Sequence, residues 1–237
     1  YWPFDGLNEQ GLAIGMAAVP GSDMPRDPDH EAIGSLGIIR EMLDHARDVD
    51  EAVEIMGSYN ISMEGGPSLH YLIADRSGQA VLVEFAQGRM HVLPNEAAWH
   101  SATNHLRSQV AGDGDGGCWR YHTLQEQLAG TQGQLTTGEA MSLLQDVSQA
   151  GTQWSVVYGI SSGEVQVSVG REYETVHSFD LKAALPQLQL AGIHRPPVIP
   201  ATDTRSAEST ARLSFPQPTA VRGIHPADDY GFPPFQE

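Results

Sequence analysis

The order of elements along this 237-residue chain predicts a layered α+β fold. Three observations carry that expectation. Two stretches of helical spacing stand in succession at 33–56, two more stand at 121–147, and short apolar runs broken by turn residues lie between and after them. Helix pairs placed between groups of antiparallel strands bury both kinds of face most readily as stacked layers.

The small-residue apolar run at 12–19, which follows the polar turn Asn8-Glu-Gln-Gly11, reads as a buried strand. Ile33, Leu36, Ile39, Met42, Leu43 and Ala46 follow helical spacing and predict one helix over 33–46. Asp48, with Glu51 three residues on, supplies a cap and a first-turn carboxylate for a second helix to about Met56. Strands are then expected at 69–74, 80–85, 89–93 and 99–103, divided by Asp75-Arg-Ser-Gly78 and Gly88, as in an antiparallel meander. Helices return at 121–128 and, after the capping box of Thr136 and Glu139, at 140–147. Strands at 154–160, 165–169 and 173–179 close the folded part.

Two regions are expected: a folded domain over 1–185 and a proline-rich tail over 186–237, which holds nine of the fifteen prolines. Proline fixes φ and removes a donor, so the tail reads as extended chain rather than a packed element. Its end, Tyr230-Gly-Phe-Pro-Pro-Phe235, suits either a disordered tail or docking on a neighbouring copy in a homo-oligomer.

Charge and cysteine content exclude several functions. Thirteen Lys+Arg against thirty Asp+Glu give a net charge of −17, which argues against a nucleic-acid or anionic-membrane partner. The single cysteine, Cys118, makes neither an internal disulfide nor a cysteine-rich zinc site. The ten histidines contain no metal-ligand spacing, so no metal or other cofactor is expected. Residues 112–117 lack the closing residues of a phosphate or calcium loop and read as a flexible surface loop. No apolar run is long enough to cross a bilayer, and no basic-then-apolar leader opens the sequence, so any targeting segment is expected to lie outside it. Cys118 is followed by Arg120, whose charge favours a thiolate; it is read as a nucleophile or as an incidental thiol.

Three polar patterns point to chemistry: the turn containing Asn8, the segment Ala102-Thr-Asn-His105, and Trp119-Arg-Tyr121 at a helix start. Asparagine amides are the donors an oxyanion hole uses, and a semi-buried arginine holds a carboxylate or a developing negative charge. Each asparagine taken alone also reads as a turn or cap residue.

Together these patterns resemble a known family. Asp5-Gly-Leu-Asn-Glu-Gln-Gly-Leu-Ala13, the hairpin 72–85, Gly88-Arg-Met-His-Val-Leu93, Thr103-Asn104, Arg120-Tyr121 and Gly151-Thr-Gln-Trp154 resemble, in order, segments of the linear amide C–N hydrolases: choloylglycine hydrolases, penicillin V acylases and their acyltransferase relatives. The resemblance implies a four-layer αββα N-terminal nucleophile sandwich. It also implies hydrolysis or transfer of the acyl group of a small-molecule linear amide through a cysteine thioester, without a cofactor. Carried over, Asn8 and Asn104 would be oxyanion donors, the first exchangeable with a donor near Ala18. Arg120 would orient nucleophile or substrate, and Glu84 would act behind the reacting groups or simply in a cross-strand ion pair. The family's nucleophilic cysteine precedes the motif at Asp5 by tens of residues, so it is expected to lie outside this chain, which would then be an incomplete sandwich. A non-catalytic relative that binds an acylated small molecule is the alternative.

Overall fold

The computed structural model describes residues 2–109, 117–184 and 220–223. Its largest sheet has five antiparallel strands in the order β1 (Gly6–Leu7), β2 (Ala13–Ala18), β5 (Leu69–Ala74), β6 (Ala80–Ala86) and β7 (Arg89–Pro94). The run β5–β6–β7 is the meander that the turn spacing predicts. Asp75 closes its first hairpin, its carboxylate accepting from the Ser77 N–H at 2.7 Å and from the Val49 N–H at 3.0 Å.

Period-2 alternation sorts this sheet into two faces. Ile14, Met16, Tyr71, Ile73, Val81, Val83 and Phe85 pack against helices α1 (Gly37–His45) and α2 (Val49–Gly57) through Ile39, Met42, Ala52 and Met56. Fully burying a side chain of this size contributes about 1.5–3 kcal/mol, so this layer is the main source of stability. The opposite face carries smaller groups, Ala13, Ala74 and Ala80, and meets Val156 and Tyr158 of a second sheet. That sheet is antiparallel, in the order β10 (His177–Asp180), β9 (Glu164–Val169), β8 (Trp154–Tyr158) and β11 (Ala220–Gly223). Its outer side is covered by α4 (Thr137–Asp146), where Ala140, Met141 and Leu144 pack on Val157. The result is four layers, helix–sheet–sheet–helix, with α3 (Trp119–Gly130) beside the inter-sheet space.

The helix starts follow their caps. Asp48 accepts from the Glu51 N–H at 3.0 Å, and Thr136 and Glu139 form the reciprocal capping box. Four expectations are corrected. The stretch predicted as one helix over 33–46 begins as β3 (Glu31–Gly34), paired in parallel with β4 (Tyr59–Ser62), and turns helical at Gly37. The Ser35 N–H donates to the Ser62 carbonyl and extends that ladder, so residues before Gly37 bond sideways rather than along a helix. Residues 99–103 are irregular rather than a strand, because they cross from the edge of the first sheet towards α3 along the cavity wall. Of the strand expected over 173–179, only His177–Asp180 pairs. Finally, Ala220–Gly223 forms a strand on β8 inside the proline-rich stretch where no packed element is expected; it sits in a gap between Pro218 and Pro226, where no proline removes a ladder donor. The aromatic end of the tail and the loop at 112–116 lie outside the described residues.

Candidate functional site

Small residues at alternate positions of β2 make room between the sheets. Ala13, Gly15 and Ala17 form one wall of a cavity of about 100 Å³, with Leu72, Ala74 and Ala80 beside them and Leu124, Leu128, Leu143 and Leu144 facing them from α3 and α4. The irregular segment 99–103 closes a side. The lining is mostly apolar, with a few polar side chains, as small-molecule sites generally are.

Asn104 and Arg120 come together next to residues that line this cavity. The Asn104 side-chain amide donates to the Ala18 carbonyl at 2.8 Å, and its Oδ1 accepts from the Arg120 guanidinium at 2.8 Å. Arg120 lies in the first turn of α3 and is buried. Ala17, Ala102 and Thr103, which adjoin this trio in the chain, line the cavity. A carboxamide fixed by a buried cation on one side and a strand end on the other is pre-organised: little side-chain reorganisation is needed before it meets a developing negative charge.

Asn8 stands apart from this cluster. Its amide donates to the Leu43 carbonyl at 3.1 Å and the Ala46 carbonyl at 2.8 Å, while its Oδ1 accepts from the Gln10 and Leu12 N–H groups at 3.0 Å each. Both amide hydrogens are therefore spent on orphan carbonyls at the end of α1, and no donor is left for an oxyanion. The exchangeable position near Ala18 lies beside Asn104, whose amide donates to the Ala18 carbonyl. Gly11, at φ +83°, closes this same turn, and a Cβ there would run into the Arg76 side chain. Asp5 ties the turn to the second sheet by accepting from the Trp154 indole at 3.1 Å and the Tyr158 hydroxyl at 2.6 Å.

Glu84 is fully buried on β6 and is the centre of a network that supports the segment after Asn104. Its Oε1 accepts from the Arg107 N–H at 2.9 Å and lies 3.1 Å from His70 Nδ1, while Oε2 accepts from the Ser108 N–H at 2.8 Å. Burial alone would raise its pKa, but the hydrogen bonds from His70 and from the Ser108 and Arg107 N–H groups outweigh that and hold it at about 2. The carboxylate thus fixes residues 107–108, three and four positions after Asn104. Its cross-strand partner is His70, so the cross-strand contact and the supporting role coincide, and the contact is an ion pair only when the His70 ring carries both protons. His100, also on the cavity wall, is pushed down to about 4, chiefly by burial, against the opposing pull of the Leu93 carbonyl. The neutral ring has its Nε2 on the Leu93 carbonyl at 3.0 Å and its Nδ1 3.2 Å from the Arg107 guanidinium, which fixes the tautomer with the proton on Nε2.

Cys118 caps the start of α3 in the same region. Thr103 Oγ1 lies 3.5 Å from its Sγ and 3.1 Å from His105 Nδ1. Burial raises the thiol pKa, but hydrogen bonds from His105, Thr103 and the Tyr121 N–H, with the Arg120 charge, bring it down to about 6. Among the described residues, no group of three His, Cys, Asp or Glu side chains is placed to hold a metal ion, and no helix is long and apolar enough to cross a membrane.

The motif reading missed His70. Its signal was in the sequence: a histidine in one arm of the hairpin, one step outward in register from the Tyr71–Val83 pair, opposite an acid in the other arm.

Comparison with known proteins now bears on this geometry. The family model of acyl-coenzyme A:6-aminopenicillanic acid acyl-transferase matches residues 4–172. No curated protein sequence matches. Two variants of the conjugated bile acid hydrolase of Clostridium perfringens superpose with a TM-score of 0.59 at 16% identity, covering 76% of this chain and 73% of theirs. The penicillin V acylase of Agrobacterium tumefaciens gives 0.59 at 17% identity, over 75% of this chain and 66% of the acylase. At these identities the structural matches speak for the fold, the N-terminal nucleophile sandwich.

Proposed function

This chain belongs to the acyl-coenzyme A:6-aminopenicillanic acid acyl-transferase family, and on that premise we propose that it carries the acyl-binding cavity and oxyanion-stabilising rim of a hydrolase or acyltransferase for small linear amides. The observation that carries the reading is the bonded trio Ala18–Asn104–Arg120, whose chain neighbours Ala17 and Thr103 line a mostly apolar cavity between the sheets. In this reading the acyl chain lies among Gly15, Ala17, Leu124 and Leu143. Its carbonyl oxygen comes under the Asn104 amide, which exchanges the Ala18 carbonyl for the oxyanion as charge develops. Arg120 holds Asn104 in place and supplies positive potential. A cysteine from a segment N-terminal to Tyr1 supplies the nucleophile and its own α-amine takes the thiol proton; the C–S bond forms, the C–N bond breaks, the amine leaves with that proton, and water or an acceptor amine then takes the acyl group from the thioester and restores the thiol.

The test is turnover by the protein translated from the intact reading frame, offered penicillin V, a glycine-conjugated bile salt and an N-acyl homoserine lactone. Amide cleavage in one of these, reduced about 10²–10³-fold in kcat by Asn104→Ala, supports the reading. Saturable binding of the same compounds with no turnover would establish instead a relative that binds acylated small molecules. Cleavage unaffected by Asn104→Ala removes the rim from the mechanism.

A further inference from the structure

His70 sits with no exposed surface between the two sheets, where a polar group without a partner is destabilising. Its Nδ1 is satisfied by Glu84, but its Nε2 is buried and has no hydrogen-bond partner among the described residues. The ring lines the cavity. Other polar side chains of that wall are engaged elsewhere: Ser101 Oγ accepts from Gln125, the Tyr158 hydroxyl donates to Asp5, Thr103 meets His105 and Cys118, and both His100 nitrogens are used. Of the two orphaned imidazole nitrogens among the described residues, His70 Nε2 and His105 Nε2, the first therefore belongs to the cavity.

Which form that atom takes follows from its partner. An ionised carboxylate only accepts, so the hydrogen shared with Glu84 sits on Nδ1, which in a neutral ring leaves the lone pair on Nε2. Glu84 cannot turn away, because the Arg107 and Ser108 N–H groups hold it from the other side. A fixed acceptor with apolar surroundings selects a ligand with an N–H donor flanked by small alkyl groups. The space of about 100 Å³ is smaller than the roughly 150 Å³ that takes benzene, so it suits a short chain.

We propose that His70 is a substrate-recognition residue, whose Nε2 accepts the N–H of a secondary amide bound in the inter-sheet cavity, with Glu84 fixing the tautomer that makes it an acceptor. The proposal deepens the amide reading above and rests on it. It separates an amide from the ester of the same shape, which has no hydrogen to give.

The experiment uses the 237-residue chain and two probes, N-methylacetamide and methyl acetate, titrated by NMR against resonances of the cavity wall. The wild type is expected to bind the amide about tenfold more tightly than the ester, one hydrogen bond's worth. His70→Asn keeps a donor for Glu84 but removes the acceptor, and should bind both probes equally while unfolding at the wild-type temperature. His70→Gln, which can place an amide oxygen near the lost Nε2, should restore part of the preference. Equal binding of the two probes by the wild type overturns the His70 assignment and leaves the acyl cavity standing. Binding of neither probe overturns both. A long-range ¹H–¹⁵N spectrum showing a proton on Nε2, in the neutral ring or in the imidazolium, would also refute it.

Discussion

The buried Glu84 carboxylate makes a prediction about acid stability. Its pKa is held at about 2 in the folded protein against an ordinary 4.5, so folding favours the ionised form. At about 1.4 kcal/mol per tenfold change, that difference corresponds to about 3 kcal/mol of stability. The sign follows from the direction. A carboxyl with a depressed folded pKa contributes fully above its unfolded value, and the contribution drains away as pH falls from about 5 towards 2. Glu84→Gln removes the titration, and also sets an amide NH₂ against one of the N–H donors of Arg107, Ser108 and His70. At pH 7 the variant should therefore be about 2–4 kcal/mol less stable than the wild type. The assay is urea unfolding of both proteins at pH 7, 5, 4 and 3. The expected result is a gap that is wide at pH 7 and narrows steadily below pH 5. Two curves that fall in parallel over that range would show that the carboxylate is not held as the geometry requires.

Other perturbations test neighbouring contacts. Asn8→Ala orphans the Leu43 and Ala46 carbonyls and should cost about 2–4 kcal/mol in urea unfolding, with unchanged binding of N-methylacetamide. Loss of probe binding at unaltered stability would return Asn8 to the site. Gly11→Ala must place a Cβ at positive φ against Arg76, and should lower the melting temperature more than a change at an open glycine such as Gly66. Cys118, held at about 6, should react with iodoacetamide with a midpoint near pH 6, and His105→Ala should move that midpoint upward. If Cys118→Ala abolished amide cleavage by the protein from the intact reading frame, the nucleophile would be this thiol rather than an N-terminal cysteine.

How much of this was legible beforehand depended on the range of the interaction that fixes each feature. Asp48 and the Thr136–Glu139 box act over three residues, and both helices start where the caps say. The hairpin at Asp75–Gly78 is equally local, and its two strands are found within a residue of expectation. The stretch at 33–36 was misread because its apolar spacing is the same whether Ile33 faces a helix neighbour or a strand partner. The choice is made by Tyr59–Ser62, more than twenty residues on. The site divides in the same way. The ordered motifs name Asn104 and Arg120, which bond to one another, and Asn8, which bonds elsewhere, because a motif match fixes a position in the fold and not what the side chain there bonds to. Asn8 spends its amide on the end of a helix 35–38 residues away, a partner that no local pattern records. His70 went unseen for the converse reason. A histidine in an apolar strand reads as core until Glu84 is known to lie opposite it and Arg107 and Ser108 are known to hold Glu84 from behind. Three segments must meet before one ring nitrogen is left facing empty space, and that remainder, rather than any motif, is what marks it as a place for a ligand.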